Sequence, residues 1–237
     1  MELYLCSIKL GEIPLVAGAV NDTDVLTVSP DLLHTADILE LRVDMFDILT
    51  PEHVEEVFRT VRGRVNKPVI ATIRDVAEGG QKEIPDRALL YRSVVPLSDA
   101  VDVEVRNADL MKEVKEWCVT HRKILIGSYH NFTATPDDSA LDEIVVRGKE
   151  QGADIVKIAA MPGDREEVTR LLLYTLRNRD KMLITMSMGD IGLPSRIFGP
   201  LFGSLVTYGY IGKPSAPGQL SASELLYILR RLKLRQT

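Results

Sequence analysis

Cysteine is scarce in this chain: Cys6 and Cys118 are the only two among 237 residues. Two isolated cysteines build neither a disulfide framework nor a thiolate metal site, and they fit a reduced cytoplasmic protein. No block of like charge stands out, and the formal net charge is −5. A nucleic-acid binder needs a basic patch, so that class is excluded, although a local cationic pocket is not. No apolar run reaches the ~20 residues of a membrane span. The opening "ELYLCSI" has no basic n-region and no signal-type h-region, so a cytoplasmic protein without a membrane partner is expected. No linker rich in Pro, Gly or Ser divides the chain, which predicts one domain over residues 1–237. No cluster of His, Asp and Glu has clear metal-ligand spacing, so no metal is expected.

What is present is an alternation. Apolar residues make up 45% and charged residues 27%, as in soluble globular proteins. Eight β-rich runs stand out: "LYLCSI", "ADILELRVD", "KPVIATIR", "VDVEV", "KILIGSYH", "ADIVKIA", "KMLITMSM" and "LVTYGYIG". Amphipathic segments such as "TPEHVEEVFRTVRG" and "DREEVTRLLLYTLRNRD" separate them. Pro51 with Thr50 before it reads as a helix start, and Gly152 as a helix end. Strand–helix alternation implies parallel strands. Eight units in this length predict an α/β fold, a (β/α)8 TIM barrel, typically ~250 residues. The rival is a doubly wound open sheet, against which no G-x-G-x-x-G follows the first predicted strand.

In such a barrel, alternate strand residues point inward and sites form at the C-terminal mouth. Glu40 and Arg42 share parity on the second predicted strand, Asp102 and Glu104 on the fourth, and Met186 and Met188 on the seventh. Arg74 ends the third, His130 the fifth, and Lys157 lies inside the apolar run "DIVKIAAMP" on the sixth. A packed apolar barrel does not need these side chains. Glu40 with Arg42 could be a structural ion pair, Asp102 and Glu104 could neutralise nearby arginines, and the methionines could be core filler or a pocket wall. His34, His53 and His121 read as surface residues. His130 at a strand end, beside a lysine on the next strand, reads as an acid–base candidate. Lys157 could snorkel, pair with a carboxylate, or act as an amine nucleophile. An amine attacks only when neutral, a form that desolvation and cations such as Arg42, Arg74 and protonated His130 favour.

The segments "ILELRVD", "ATIRDVAEGG", "SYHNFTATP", "ADIVKIAAMP", "MSMGDIGLPSR" and "PSAPGQLSASEL" together resemble the type I 3-dehydroquinate dehydratase family. They occur in family order over nearly the whole chain. The resemblance implies a barrel that converts 3-dehydroquinate to 3-dehydroshikimate and water in the shikimate pathway, without a cofactor and as a homodimer. It implies Lys157 as the imine-forming lysine, His130 as general acid–base and Glu78 as the carboxylate that orients the histidine. It further implies Glu40, Arg42, Arg74 and Ser7 as substrate contacts, Arg196 as the substrate-carboxylate ligand, and Ser215 and Gln219 in a closing loop. The chain enters its first predicted strand directly, so the resemblance leaves open what covers the barrel bottom. Two rivals remain at this point: another imine-forming barrel enzyme such as a class I aldolase, and a non-catalytic barrel that binds a metabolite.

Overall fold

The computed structural model of the protein describes residues 2–212, 214 and 219–235. A short hairpin comes first, β1 (Tyr4–Leu5) pairing antiparallel with β2 (Ile8–Lys9). There follow β3 (Leu15–Val20), α1 (Asp22–Thr27), α2 (Pro30–Leu33), β4 (Ile38–Arg42), α3 (Pro51–Arg64), β5 (Val69–Thr72), α4 (Arg87–Val94), β6 (Ala100–Glu104), α5 (Ala108–His121) and β7 (Ile124–Asn131). The chain continues through α6 (Asp138–Glu150), β8 (Ile155–Ala160), α7 (Arg165–Arg177), β9 (Leu183–Ser187), α8 (Gly189–Phe198), β10 (Val206–Tyr210) and α9 (Ala222–Arg231). Strands β3 to β10 are all parallel, in the order β10-β3-β4-β5-β6-β7-β8-β9. At the β9–β10 seam, Leu205 N–H donates to the Leu183 carbonyl at 2.9 Å and the Ser204 hydroxyl accepts from Thr185 N–H at 2.9 Å. The sheet is thus a nearly closed (β/α)8 barrel.

Local chemistry sets the helix ends. Thr50 accepts a hydrogen bond from His53 N–H with Pro51 opening α3, and Gly152 takes φ +89° just beyond α6. Strand parity sorts the core into two. Val156 and Ile158 of β8, with Leu39, Leu41, Val69, Ala71, Val101 and Val103, face outward against the helices. Ile155 and Ala159, with Ile38, Ile70, Ala100, Ile126 and Ile184, face into the barrel.

One expected strand is misplaced. The first barrel strand is Leu15–Val20 rather than "LYLCSI". Its centre, Ala17–Gly18–Ala19, is small, and at Gly18 space is short: a Cβ there would stand 2.4 Å from Ile211 Cδ1 and 2.9 Å from Ala36 Cβ. The segment read as a strand is instead the hairpin, whose Leu5, with Leu10 just after it, is buried against Leu15, Ile38, Ile70, Ala100 and Ile124. These are early residues of their strands, so the hairpin plugs the barrel bottom. Ser7 lies exposed in its turn, at the opposite end from the mouth. The expectation that Ser7 touches a mouth ligand is therefore corrected. The inward residue of β3 level with Glu40 is Ala19, which offers no polar group.

Candidate active site

The mouth of the barrel forms a pocket. Its lining brings together Glu40, Arg42, Arg74, Glu78, His130, Lys157, Met186, Met188, Arg196 and Gln219, ten of the residues singled out in the sequence, and adds Gly79, Phe132, Ala159 and Tyr208. Ser215 lies outside the described residues.

Lys157 points inward from β8 and is 4% exposed. Its Nζ lies 2.9 Å from Asp102 Oδ2 and 3.3 Å from Glu40 Oε1. The Tyr208 ring covers another side, its centroid 4.1 Å from Nζ. The immediate neighbours of the amine are thus two carboxylates and an aromatic face, where the apolar run in the sequence suggested an apolar wall and cationic neighbours.

Behind the amine is a buried charge network. Arg74 gives Nη2 to Asp102 at 2.9 Å and Nη1 to Glu104 at 2.8 Å and to Ser128 Oγ at 2.7 Å. Arg87 closes the far side on Glu104. Burial alone would raise the Asp102 carboxyl, but Arg74 and Lys157 beside it hold it well below the usual carboxylate range. Glu40 accepts from Thr72 Oγ1 at 2.9 Å. Glu40 and Arg42 do not pair with each other through a short contact. Arg42 instead forms a bidentate pair with Asp44, at 2.9 and 2.8 Å. Asp44 is fully buried and also receives the backbone N–H groups of Arg74 and Gln81. It fixes both the arginine and the loop that follows β5.

That loop carries Glu78. A single turn of 3-10 helix (Val76–Glu78) ends at Gly79 with φ +89°, a left-handed conformation that favours glycine. At Gly80 a Cβ would stand 2.2 Å from the Arg74 carbonyl oxygen. The two glycines of "AEGG" therefore let the chain fold back on the end of β5 and set Glu78 against β7. One oxygen of Glu78 accepts both the His130 backbone N–H at 2.8 Å and His130 Nδ1 at 3.0 Å. Burial, with Arg74 and Lys157 nearby, drives the imidazole well below its ordinary pKa and holds it neutral at pH 7. Burial, with Glu104 adding to it, pushes the Glu78 carboxyl up to about 7.

Arg196 projects inward from the last turn of α8 and is 2% exposed. One terminal nitrogen donates to the Tyr208 carbonyl at 3.2 Å, and Nε has no hydrogen-bond partner. Among the described residues it has no carboxylate partner within ion-pair distance, unlike Lys157, Arg42, Arg74 and Arg87. Burial pushes its guanidinium down to about 10. A buried guanidinium without an anion is costly, and here it lines the pocket, where an anionic ligand can supply the missing partner. Met186 Sδ, 3.7 Å from the same guanidinium, forms the apolar floor beside it.

Two contributors escaped the sequence reading. Asp44 follows β4 by two residues and shares the face of Arg42, an i,i+2 pattern that could have revealed it. Tyr208 shares inward parity with Val206 on β10, so an aromatic residue at the mouth was also legible. Its hydroxyl is buried without a hydrogen-bond partner among the described residues. His53, read as a surface residue, is half-buried and lies 3.2 Å from Asp22. Among the described residues no group of three or more His, Cys, Asp or Glu could hold a metal ion, and no helix is long and apolar enough to cross a membrane.

Comparison with known proteins gives a consistent result. The sequence model of the type I 3-dehydroquinase family matches residues 14–236. The 3-dehydroquinate dehydratase of Thermodesulfovibrio yellowstonii is 38% identical over 228 residues, 95% of this chain and 99% of that one. The solved 3-dehydroquinate dehydratase of Geobacillus kaustophilus superposes with a TM-score of 0.91 at 30% identity, covering 100% of this chain and 98% of its own. The type I 3-dehydroquinate dehydratase of Clostridium difficile, solved with covalently modified comenic acid, gives a TM-score of 0.88 at 31% identity and covers 98% of both chains.

Proposed function

The chain belongs to the type I 3-dehydroquinase family of shikimate-pathway hydro-lyases, and we propose that it dehydrates 3-dehydroquinate through an imine on Lys157 with His130 as general acid and base. The observation that carries this reading is the shared cavity. It holds one buried primary amine, one neutral imidazole fixed by a carboxylate, and one buried guanidinium with no carboxylate partner among the described residues.

In this reading Arg196 takes the substrate carboxylate through two parallel hydrogen bonds, the geometry for which a guanidinium is suited. Glu40, Arg42, Arg74 and Gln219 contact the hydroxyl-bearing ring, with Met186 and Met188 as the wall.

The Lys157 ammonium lends one proton to the neighbouring Glu40 carboxylate, and the freed amine forms a bond to the ring carbonyl carbon. That proton and one more from the nitrogen leave with the carbonyl oxygen as water, and the third stays on the nitrogen. The product is a protonated imine. His130 Nε2 takes a proton from the adjacent carbon, and the electron pair of that C–H bond moves toward the imine to give an enamine. The enamine returns the pair and expels the neighbouring hydroxyl, to which His130 gives back its proton, so a second water leaves. Hydrolysis of the imine uses one water and frees the amine and the conjugated ketone. The net change is the loss of one water. Splitting the elimination into covalent steps lowers each barrier, and the positioned histidine contributes roughly 10²–10⁴-fold.

Residues 1–237 act in this reading as one catalytic domain, in the cytoplasm and as a homodimer, a state that light scattering reads directly. The function itself is tested by adding 3-dehydroquinate and following the absorbance of the conjugated product. A substrate-dependent rise, absent with sugar phosphates and lost in Lys157→Ala, is expected. Turnover of a sugar phosphate instead, or full activity in Lys157→Ala, would overturn it.

A further inference from the structure

We propose that Asp102 is the counter-ion of the Lys157 imine, a fixed carboxylate that keeps the imine nitrogen protonated while the ring loses water. The proposal rests on the imine reading above and adds to it a residue that reading does not use.

The chemistry sets the need. An imine draws electrons from the neighbouring C–H bond only while its nitrogen carries the positive charge. That charge sits on Nζ, on a buried side chain, where a fixed anion acts far more strongly than in water. Asp102 has the geometry for this task. It is fully buried on β6, and its two oxygens have separate duties. Oδ1 accepts from Arg74 Nη2 at 2.9 Å and from Ser128 Oγ at 2.6 Å, which anchors the group to β5 and β7. Among the described residues Oδ2 is hydrogen-bonded to Nζ alone, at 2.9 Å. The carboxylate is thus held still by one oxygen and presents the other to the atom where positive charge persists through the reaction.

Its partners also keep it ionised. Arg74 and Lys157 more than offset the effect of burial. Glu40 stands slightly farther from Nζ and shares the same oxygen with Thr72, and it faces the hydroxyl-bearing substrate. On the other side of the amine the Tyr208 ring presents a π-face, which also favours a cation. A merely structural ion pair would not require this division of oxygens, because Arg74 already has Glu104 and Ser128.

The test compares Asp102→Asn with Ser128→Ala, which loosens the anchor but leaves the charge. Removing the anion disfavours the protonated imine, so the alkaline limb of the kcat profile should move to lower pH in Asp102→Asn. At the pH of full wild-type activity, kcat should fall roughly a hundredfold, with KM changed only a few-fold. Ser128→Ala should keep the wild-type limb, and Asp102→Glu should restore it in part. A folded Asp102→Asn enzyme with the wild-type alkaline limb overturns the proposal. If that variant does not fold, the wild type labelled with ¹⁵N-lysine and loaded with a cyclic keto acid lacking the leaving hydroxyl gives the answer by NMR. A protonated imine nitrogen across the active pH range supports the proposal, and a neutral one at the pH of full activity overturns it. Failure of the wild type to form any imine would overturn both readings, whereas an imine with an unmoved limb removes only the role of Asp102.

Discussion

One oxygen of Glu78 receives two hydrogen bonds from the same residue, the backbone N–H and Nδ1 of His130. The backbone bond fixes the carboxylate to β7, and the side-chain bond fixes the tautomer. With the proton on Nδ1, Nε2 keeps its lone pair and can serve as a base. The pair therefore works as a unit, and its titration belongs to both groups.

That coupling predicts the pH dependence. Burial pushes the Glu78 carboxyl up to about 7, while His130 is held neutral. Above about 7 the carboxylate is ionised and holds the Nδ1 proton. As pH falls through about 7 the pair takes up a proton and Nε2 is no longer available. kcat/KM should rise with pH through an apparent value near 7, and Glu78→Gln should abolish or displace that limb. A profile in which Glu78→Gln leaves the limb in place would contradict the assignment.

His130→Ala should lower kcat by roughly 10²–10⁴-fold, the range for a lost general acid–base, while KM changes little. Imine formation needs the amine more than the histidine, so the covalent adduct should persist and even accumulate in this variant. Steady-state kinetics with mass spectrometry of the reduced protein checks both points. An unchanged kcat would remove the role.

Arg196→Met should separate binding from stability. This guanidinium is buried and, among the described residues, lacks a carboxylate and leaves Nε unpaired. Replacing it with an apolar side chain of similar length should hold or raise the melting temperature. Substrate binding should weaken by about 10²-fold or more in kcat/KM, in line with the ~2–5 kcal/mol lost when one partner of a buried charge pair is removed. A lower melting temperature with unchanged kcat/KM would contradict the carboxylate-ligand role.

Gly80→Ala should damage the site through the backbone. The new Cβ would meet the Arg74 carbonyl oxygen at 2.2 Å, and neither group is a flexible side-chain tip. Relief requires the β5 loop to move, which carries Glu78 away from His130. A loss of about 1–3 kcal/mol is expected for such overpacking, with a fall in kcat larger than in Gly63→Ala, where a Cβ meets nothing. Thermal melts and kcat of the two variants decide it.

Most of the barrel was legible because strands β4 to β10 are rich in β-branched, aliphatic or aromatic residues and alternate regularly with helical segments. Parity then located Lys157, Glu40, Arg42 and Arg74 on the inner face. The first strand was not legible. The centre of Leu15–Val20 is the small-residue run Ala17–Gly18–Ala19, with Gly18 fitted against Ile211 and Ala36, whereas Tyr4–Leu5 looks more strand-like and is only a plug. This shift removes Ser7 from the mouth. The contacts of Lys157 were hidden for a different reason. An apolar stretch in one strand says nothing of the side chains that β4 and β6 bring to its lysine, and those proved to be carboxylates. Arg42 turned to Asp44 because a residue just past the strand end reached it with ideal fork geometry.

The central claim is that Lys157 becomes covalently bound to the substrate carbonyl. The direct measurement is borohydride reduction in the presence of 3-dehydroquinate, followed by peptide mass spectrometry. The account predicts irreversible loss of activity and one stable adduct, carried by the peptide that contains Lys157 and absent without substrate. An active enzyme that survives this treatment with no adduct, or with an adduct on a different lysine, would contradict it.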